Sequence, residues 1–373
     1  MMMNPSELAQ TLEGRADDLQ NLPVVTGFDG FVDEMISVVG ERHSLEDYRR
    51  IETIAELGTK ISAAAGHSSL REIVLNQVDP GGCAINMGDG LASLGIPVTT
   101  FATVGSPLHP AFAEYATKAD LISWGTEPGR TLAFEFADGK LMFSAVSQLQ
   151  KFHPDALAEY LKDGRFQKAC EKARLIAITD WTLYPHMTLC WEYLFEQVFS
   201  RLENPRFFFD LVDPSTRSEA DIRSMLAVLS RYGEHGEVTL GLNQNEANIL
   251  SNLTGGKHAA ATDPETATIQ ATELRTALGL HAVVIHSIRY AVGTDSNGAA
   301  RIWGPYCENP KKSTGAGDRF NAGYALGQIL DLPMESALQL AVSSSGYFVR
   351  EGHSANLNDL IQFIRDFDSK KSD

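Results

Sequence analysis

Short apolar runs alternate with helix-length amphipathic stretches along most of the chain, and this alternation restricts the fold more than any other feature. Val24–Phe28, Val98–Val104, Leu175–Ile178, Phe207–Val212, Val238–Leu242 and Ala282–Ile288 read as buried strands. Asp155–Leu161, Met187–Phe199 and Ile222–Tyr232 read as helices between them. Asp263-Pro264-Glu265 opens another, with a capping Asp, Pro at the first helical position and an acid in the first turn. Apolar strands joined by helices bury both faces in a mostly parallel sheet. The expected fold class is therefore α/β, a doubly wound, mostly parallel sheet with helices on both faces.

Three segments break the rhythm. Arg130–Ser144 carries two strand-like runs around Asp138-Gly139, which predicts a β-hairpin inserted as a lid. Ala291–Trp303, with Asn297-Gly298 at its turn, predicts a second hairpin. Leu45–Ala65 is charged and helix-like, and is expected to lie outside the sheet as an elaboration. No stretch rich in Pro, Gly or Ser divides the chain.

The formal net charge of −17 repels nucleic acid and anionic membranes, so neither is an expected partner. A small anionic ligand is still allowed, because a local ring of backbone N–H groups outweighs distant charge. Cys83, Cys170, Cys190 and Cys307 form no C-x-x-C pair, and scattered thiols suit a reducing compartment. The start, Met1-Met2-Met3-Asn4-Pro5, has no basic segment followed by an apolar one, and no apolar run is long enough to span a bilayer. A cytoplasmic location is the expectation.

The chemistry concentrates in Lys312–Leu326, KSTGAGDRFNAGYAL. Apolar periodicity after Gly315 predicts a helix, so Gly315-Ala316-Gly317 sits where a loop becomes a helix. The first N–H groups there lack intrahelical partners, and small residues let a phosphate approach them: an anion hole. Asp318 follows in the first turn, placed to accept a proton from an attacking hydroxyl. The plainer reading is an acid that complements the helix dipole, and on the tetrapeptide alone it is the better one. G-x-x-x-x-G-K-[ST] is absent; Gly255-Gly256-Lys257-His258 is a near miss that reads as a surface turn. G-x-G-x-x-G, G-x-S-x-G and H-E-x-x-H are absent as well.

With this stretch in view, the chain resembles the PfkB, or ribokinase-like, carbohydrate kinase family. Lys312–Ala325 resembles its C-terminal signature, and Gly81-Gly82-Cys83-Ala84-Ile85-Asn86, then Gly95 and Gly105, has the spacing of the N-terminal one. Asn243-Gln244-Asn245-Glu246 is similar to the family's N-x-x-E element, and Asp213-Pro214 to a strand-end turn. Val24–Asp33 resembles the first strand, whose terminal Asp binds substrate hydroxyls. The likeness runs from about Val24 to the final helix near Phe367.

The resemblance implies a ribokinase-like α/β domain with a small β-rich lid and an active site between them. Residues 20–32, 81–120 and 145–370 are expected as the core, and 33–80 and 121–144 as lid and elaboration. Asp318 is implied as catalytic base, with Gly315, Ala316 and Gly317 as anion hole. Asp33, or failing that Asp29, together with Gly81, Gly82 and Asn86, is implied to hold the substrate. Without the family context, Gly81-Gly82 reads as a loop before a helix, and Asn243 as a helix cap. Asn243, Glu246, His286 and Ser287 are implied on the nucleotide side, with Glu246 holding Mg²⁺ through water. The implied partners are ATP and a sugar-like substrate, with a homodimer through the lid by analogy.

Some positions depart from the pattern. Lys312 stands where most members carry an Asp that contributes to a monovalent-cation site. Either its ammonium replaces that cation, making activity independent of K⁺, or it is a solvated lysine. Gly88 replaces Ser, Thr or Ala, a change of packing. Cys83 stands where ribokinase has Lys, which argues against ribose. The strand Val283–Ile288 lacks the family's Thr-x-Gly, so His286 or Ser287 is the candidate in its place, against a plain hydrogen-bonded histidine at a strand end. The expected function is ATP-dependent phosphorylation of a hydroxyl on a sugar or sugar-like molecule. The alternatives are a nucleoside kinase, using Phe28, Phe31 and Phe134 around a base, and a non-catalytic binder of sugar or nucleotide.

Overall fold

The computed structural model describes residues 3–366. In chain order the strands are β1 (Val24–Phe28), β2 (Phe31–Arg42), β3 (Tyr48–Arg50), β4 (Ile73–Gly81), β5 (Val98–Ala102), β6 (Asp120–Ser123), β7 (Gly129–Phe136), β8 (Gly139–Ala145), β9 (Leu175–Ile178), β10 (Arg206–Asp210), β11 (Glu237–Asn243), β12 (Ala282–His286), β13 (Tyr290–Asp295) and β14 (Gly298–Trp303). The helices are α1 (Pro5–Gly14), α2 (Ile54–Ser62), α3 (Cys83–Ser93), α4 (Pro154–Tyr160), α5 (Arg165–Lys172), α6 (Met187–Gln197), α7 (Glu219–His235), α8 (Gln244–Thr254), α9 (Pro264–Leu278), α10 (Ala316–Ile329), α11 (Met334–Glu351) and α12 (Leu357–Asp366). The final helix is described to Asp366; Phe367 and the rest of the expected core to 370 lie outside the described residues.

A nine-stranded sheet runs β14-β13-β12-β11-β10-β9-β1-β5-β6. It is parallel from β6 to β12 and antiparallel where β13 and β14 close it as a hairpin. Alternate residues feed opposite cores. Phe207 and Phe209 face a layer holding Trp191, Leu229 and Leu274, from α6, α7 and α9. Phe208, between them, faces Tyr324 and Leu338, from α10 and α11. Both faces are thus covered, which is why these strands read as continuous apolar runs.

The order reverses beside β1: the chain first builds β5 and β6 on one side, then returns to place β9 on the other. Ligands of doubly wound sheets bind at such a reversal, outside the carboxyl ends of the strands. Asp29, Asp180, Asp210, Asn243 and His286 all sit at or just beyond those ends.

A separate five-stranded sheet forms the lid, with β2 at its centre between β4 and β7, β8 beyond β7, and β3 on the far end of β2. Both expected hairpins form: β7–β8 in the lid, and β13–β14 at the edge of the large sheet. Three expectations need correction. Only the second half of Leu45–Ala65 is helical; Tyr48–Arg50 pairs with β2, where its charges stay in solvent. The boundary expected at residue 121 falls inside β6, which pairs with β5 as the edge of the large sheet. The core also starts before residue 20, because Leu8, Ala9 and Leu12 of α1 are buried in the layer that holds α12.

Candidate active site

The helix α10 is buried on all sides, so its N-terminus is held by the whole domain. Gly315 caps it at φ +85°, a left-handed conformation that favours glycine. The Ala316 N–H turns back to the Ser313 carbonyl at 3.2 Å. The N–H groups of Gly315 and Gly317 make no hydrogen bond among the described residues, and the positive end of the helix dipole lies behind them.

Asp318 follows in the first turn and is 8% exposed. Burial pushes its carboxyl up to about 7, helped by Asp210 and Asp29, while Arg319 and the Cys83 thiol act in the opposite direction. Asn86 Nδ2 donates to Asp318 Oδ2 at 2.9 Å. The two distant signature segments therefore meet at one carboxylate, and Asn86, expected on a substrate hydroxyl, touches the candidate base directly.

On the lid side Asp33 and Asp79 face each other across β2 and β4. Burial raises Asp33 to about 6, against a hydrogen bond from Thr131, with Asp79 adding to the rise. Gly81 is needed here: a Cβ on it would lie 2.4–2.6 Å from the Asp33 carboxylate. Gly82, at φ +101°, turns the chain into α3. Lys312 Nζ lies 2.9 Å from Asp79 Oδ2, so it is an ion-paired residue rather than a solvated one. Lys140, on β8, reaches both Glu135, at 3.0 Å, and the Thr314 hydroxyl in the loop before Gly315.

Asp29 does not share this face. It is 1% exposed, accepts from the N–H groups of Cys83 and Ala84, and accepts from the Thr179 hydroxyl at 2.6 Å. Its carboxylate caps α3, which leaves Asp33 as the aspartate positioned toward the lid. Phe28, Phe31 and Phe134 do not gather around a base either. Phe28 is buried among Trp124, Phe152 and Phe166, Phe31 is buried beside Gly129, and Phe134 packs on Phe143 in the lid.

Asn243 and Glu246 form a capping box at the start of α8: Glu246 Oε2 accepts from Asn243 N–H at 2.8 Å, and Asn243 Oδ1 accepts from Glu246 N–H at 3.0 Å. Burial raises the Glu246 carboxyl, with Asp210 adding to it. Asp210 is raised by burial too, and accepts from Asn321 Nδ2 at 2.6 Å. Among the described residues no three His, Cys, Asp or Glu side chains converge to hold a metal on their own. Mg²⁺ needs no such cage, because it takes oxygen ligands, keeps several waters and shares substrate phosphates. Buried carboxylates whose ionisation is disfavoured fit that ion.

A cavity of about 440 Å³ opens on the other side of Gly317. Its walls include His286, Ser287, Tyr306, Ala316, Val342 and Val349, so one ligand filling it would touch the N-terminus of α10. The His286 ring packs on Phe320 with centroids 4.8 Å apart, and burial lowers it to about 4, so it is neutral. Ser287 Oγ accepts from the N–H groups of Arg289 and Tyr290 and closes the turn into β13.

The sequence reading overlooked Asp79, Lys140, Asp180, Asp210 and Arg319. Asp180 and Asp210 carried a usable signal, since one lies just beyond and the other at the end of a strand that was recognised. Asp79 and Lys140 had none, because their strands place them by lid pairing.

A profile described as prokaryotic ketohexokinase matches residues 6–367. A curated ketohexokinase from Haloferax volcanii is 26% identical over 350 residues, covering 91% of this chain and 90% of the relative. A variant of phosphofructokinase-2 from Escherichia coli superposes with a TM-score of 0.62 at 15% identity, over 93% of this chain and 99% of the other. A nucleoside kinase of the ribokinase family from Methanocaldococcus jannaschii gives 0.59 at 12% identity, over 92% and 98%.

Proposed function

Because the chain belongs to the prokaryotic ketohexokinase family, and so is a sugar kinase of the ribokinase-like fold, we propose that it transfers the γ-phosphoryl group of ATP to a hydroxyl of a ketohexose. The observation that carries this reading is the Asn86–Asp318 contact beside the anion-hole glycines. A base held by an amide, next to free backbone donors at a helix N-terminus, suits proton removal coupled to phosphoryl transfer. The ketohexose itself comes from the activity named for the Haloferax volcanii relative.

In this reading the nucleotide fills the cavity bounded by His286, Tyr306 and Val342, with its phosphates toward Gly317. The sugar lies under the lid against Asp33. Asp318 takes the proton of the attacking hydroxyl, whose oxygen bonds to the γ-phosphorus as the bond to the bridging oxygen breaks and ADP departs. The N–H groups of Gly315 and Gly317 bind the phosphoryl oxygens, most strongly in the transition state. Glu246 and Asp210 would hold Mg²⁺, partly through water, and such an ion would neutralise phosphate charge. The lid face supports a neutral acceptor: the lysines near Asp33, Lys312 and Lys140, are already paired with Asp79 and Glu135.

No helix among the described residues is long and apolar enough to cross a membrane. Leu75 and Phe143 are more than half exposed on the lid, which supports a second copy pairing there. A coupled ADP-release screen over ketoses, aldoses, sugar acids, sugar phosphates and nucleosides tests the function. Ketohexoses should give the highest rate. A nucleoside turned over faster than every sugar would contradict the reading, as would calorimetric binding of sugar with no ADP formed.

A further inference from the structure

Arg319 follows the candidate base, yet its side chain leaves the reacting centre and runs between the two signature helices. It is 8% exposed. Its Nη2 pairs with Asp89 Oδ2 at 3.1 Å, its Nε donates to Ser354 Oγ at 3.0 Å, and its Nη1 lies 3.5 Å from the Gly315 carbonyl. The guanidinium carbon sits 4.4 Å over the centre of the Phe348 ring. Asp89 is itself held from behind, by Ser354 Oγ at 2.6 Å and by Lys118 Nζ at 3.0 Å.

The positions of these partners matter. Gly315 is the cap of the anion hole. Asp89 lies on α3, three residues after Asn86, so the two share one face of that helix. A Cβ at Gly315 would lie 2.6 Å from Arg319 Nη1 and 3.4 Å from Asn86 Nδ2, so guanidinium and amide both close on the glycine. The helices are also close along their length, since a Cβ at Gly90 would meet Ala322 Cβ at 2.7 Å. A planar fork with several donors can grip a carbonyl, a hydroxyl and a carboxylate together, and a lysine ammonium cannot match that geometry.

We infer that Arg319 is a positioning residue for phosphoryl transfer: one guanidinium locks the anion-hole glycine to the helix that carries Asn86, so donors and base are held in a single register. This rests on the kinase reading above. Its effect falls on the transition state, where a misplacement of about 1 Å costs on the order of 10² in rate, and leaves sugar binding nearly alone. Arg319 is also the positive group facing Asp318. From the other elements, Asp210 and Asp29 oppose the ionisation of Asp318 and the Cys83 thiol favours it, while Asp318 in turn raises the buried carboxyls of Asp180 and Glu246.

The test compares wild type, Arg319→Met and Arg319→Lys by ADP release across pH, with melting temperatures alongside. Arg319→Met should lose about 10- to 100-fold in kcat, keep the sugar KM within about threefold, and move the acid limb of its rate profile to higher pH. Arg319→Lys should return the limb to the wild-type position, because the charge is back, while recovering kcat only in part. Asp89→Asn and Ser354→Ala remove the far anchors; each should lower kcat about 3- to 10-fold at unchanged sugar KM, and they decide the matter if Arg319→Met does not fold. Wild-type kcat and limb in both Arg319 variants would overturn the inference, as would losses that merely follow the folded fraction. A wild-type enzyme without kinase activity would overturn the functional reading instead.

Discussion

Lys312 and Asp79 form an ion pair of 2.9 Å that ties the loop three residues before Gly315 to a strand of the lid. The ammonium stands where the family resemblance expects the Asp of a monovalent-cation site, and its partner comes from the small lid sheet. A positive charge is therefore built into the loop. The initial rate should be the same in K⁺ and in tetramethylammonium buffers. Lys312→Met should raise the sugar KM about 3- to 10-fold by freeing the lid, with a smaller effect on kcat. A strong activation of the wild type by K⁺ would sink the substitution argument.

The environment of Asp318 sets a pH dependence. Burial holds the carboxyl at about 7, and only the ionised form can accept a proton. Activity should therefore rise with pH, and kcat/KM for the sugar should reach half its plateau near pH 7. Asp33, raised to about 6, adds a second and weaker contribution to the same limb. A limb near pH 4 would mean that the base is exposed and unperturbed.

Much of this site was legible in the sequence, for identifiable reasons. Gly315–Asp318 and Gly81–Asn86 are readable because each needs particular small or polar residues at fixed spacing along one loop–helix turn. The strands β1 and β9 were placed to the residue, since a parallel sheet covered on both sides leaves an uninterrupted apolar run. The lid was harder. β2 follows β1 after only two residues, carries Asp33 and Glu34 within it, and shifts register between Met35 and Ile36, so its alternation is broken. β4 is mostly exposed and ends in Pro80-Gly81, which reads as a loop. Nothing near Arg319 in the sequence marks it, because its partners Asp89 and Ser354 are remote in sequence.

Gly88 gives a check on packing. A Cβ at this position would lie 2.0 Å from the Tyr115 hydroxyl, which is itself hydrogen-bonded to Thr100 in the core. The phenol fills the space that a side chain at position 88 would need. Gly88→Ala should destabilise the protein by about 1–3 kcal/mol in chemical denaturation, and pairing it with Tyr115→Phe should recover part of that loss. An unchanged midpoint for the single variant would contradict the packing described.

The central claim is that Asp318 removes the proton from the sugar hydroxyl, and Asp318→Asn tests it most directly. The amide keeps the shape of the carboxylate and cannot act as the base. In the ADP-release assay with the best ketohexose, kcat should fall by on the order of 10²–10⁴, while calorimetry shows sugar and nucleotide still binding. Near-normal turnover by this variant would contradict the account.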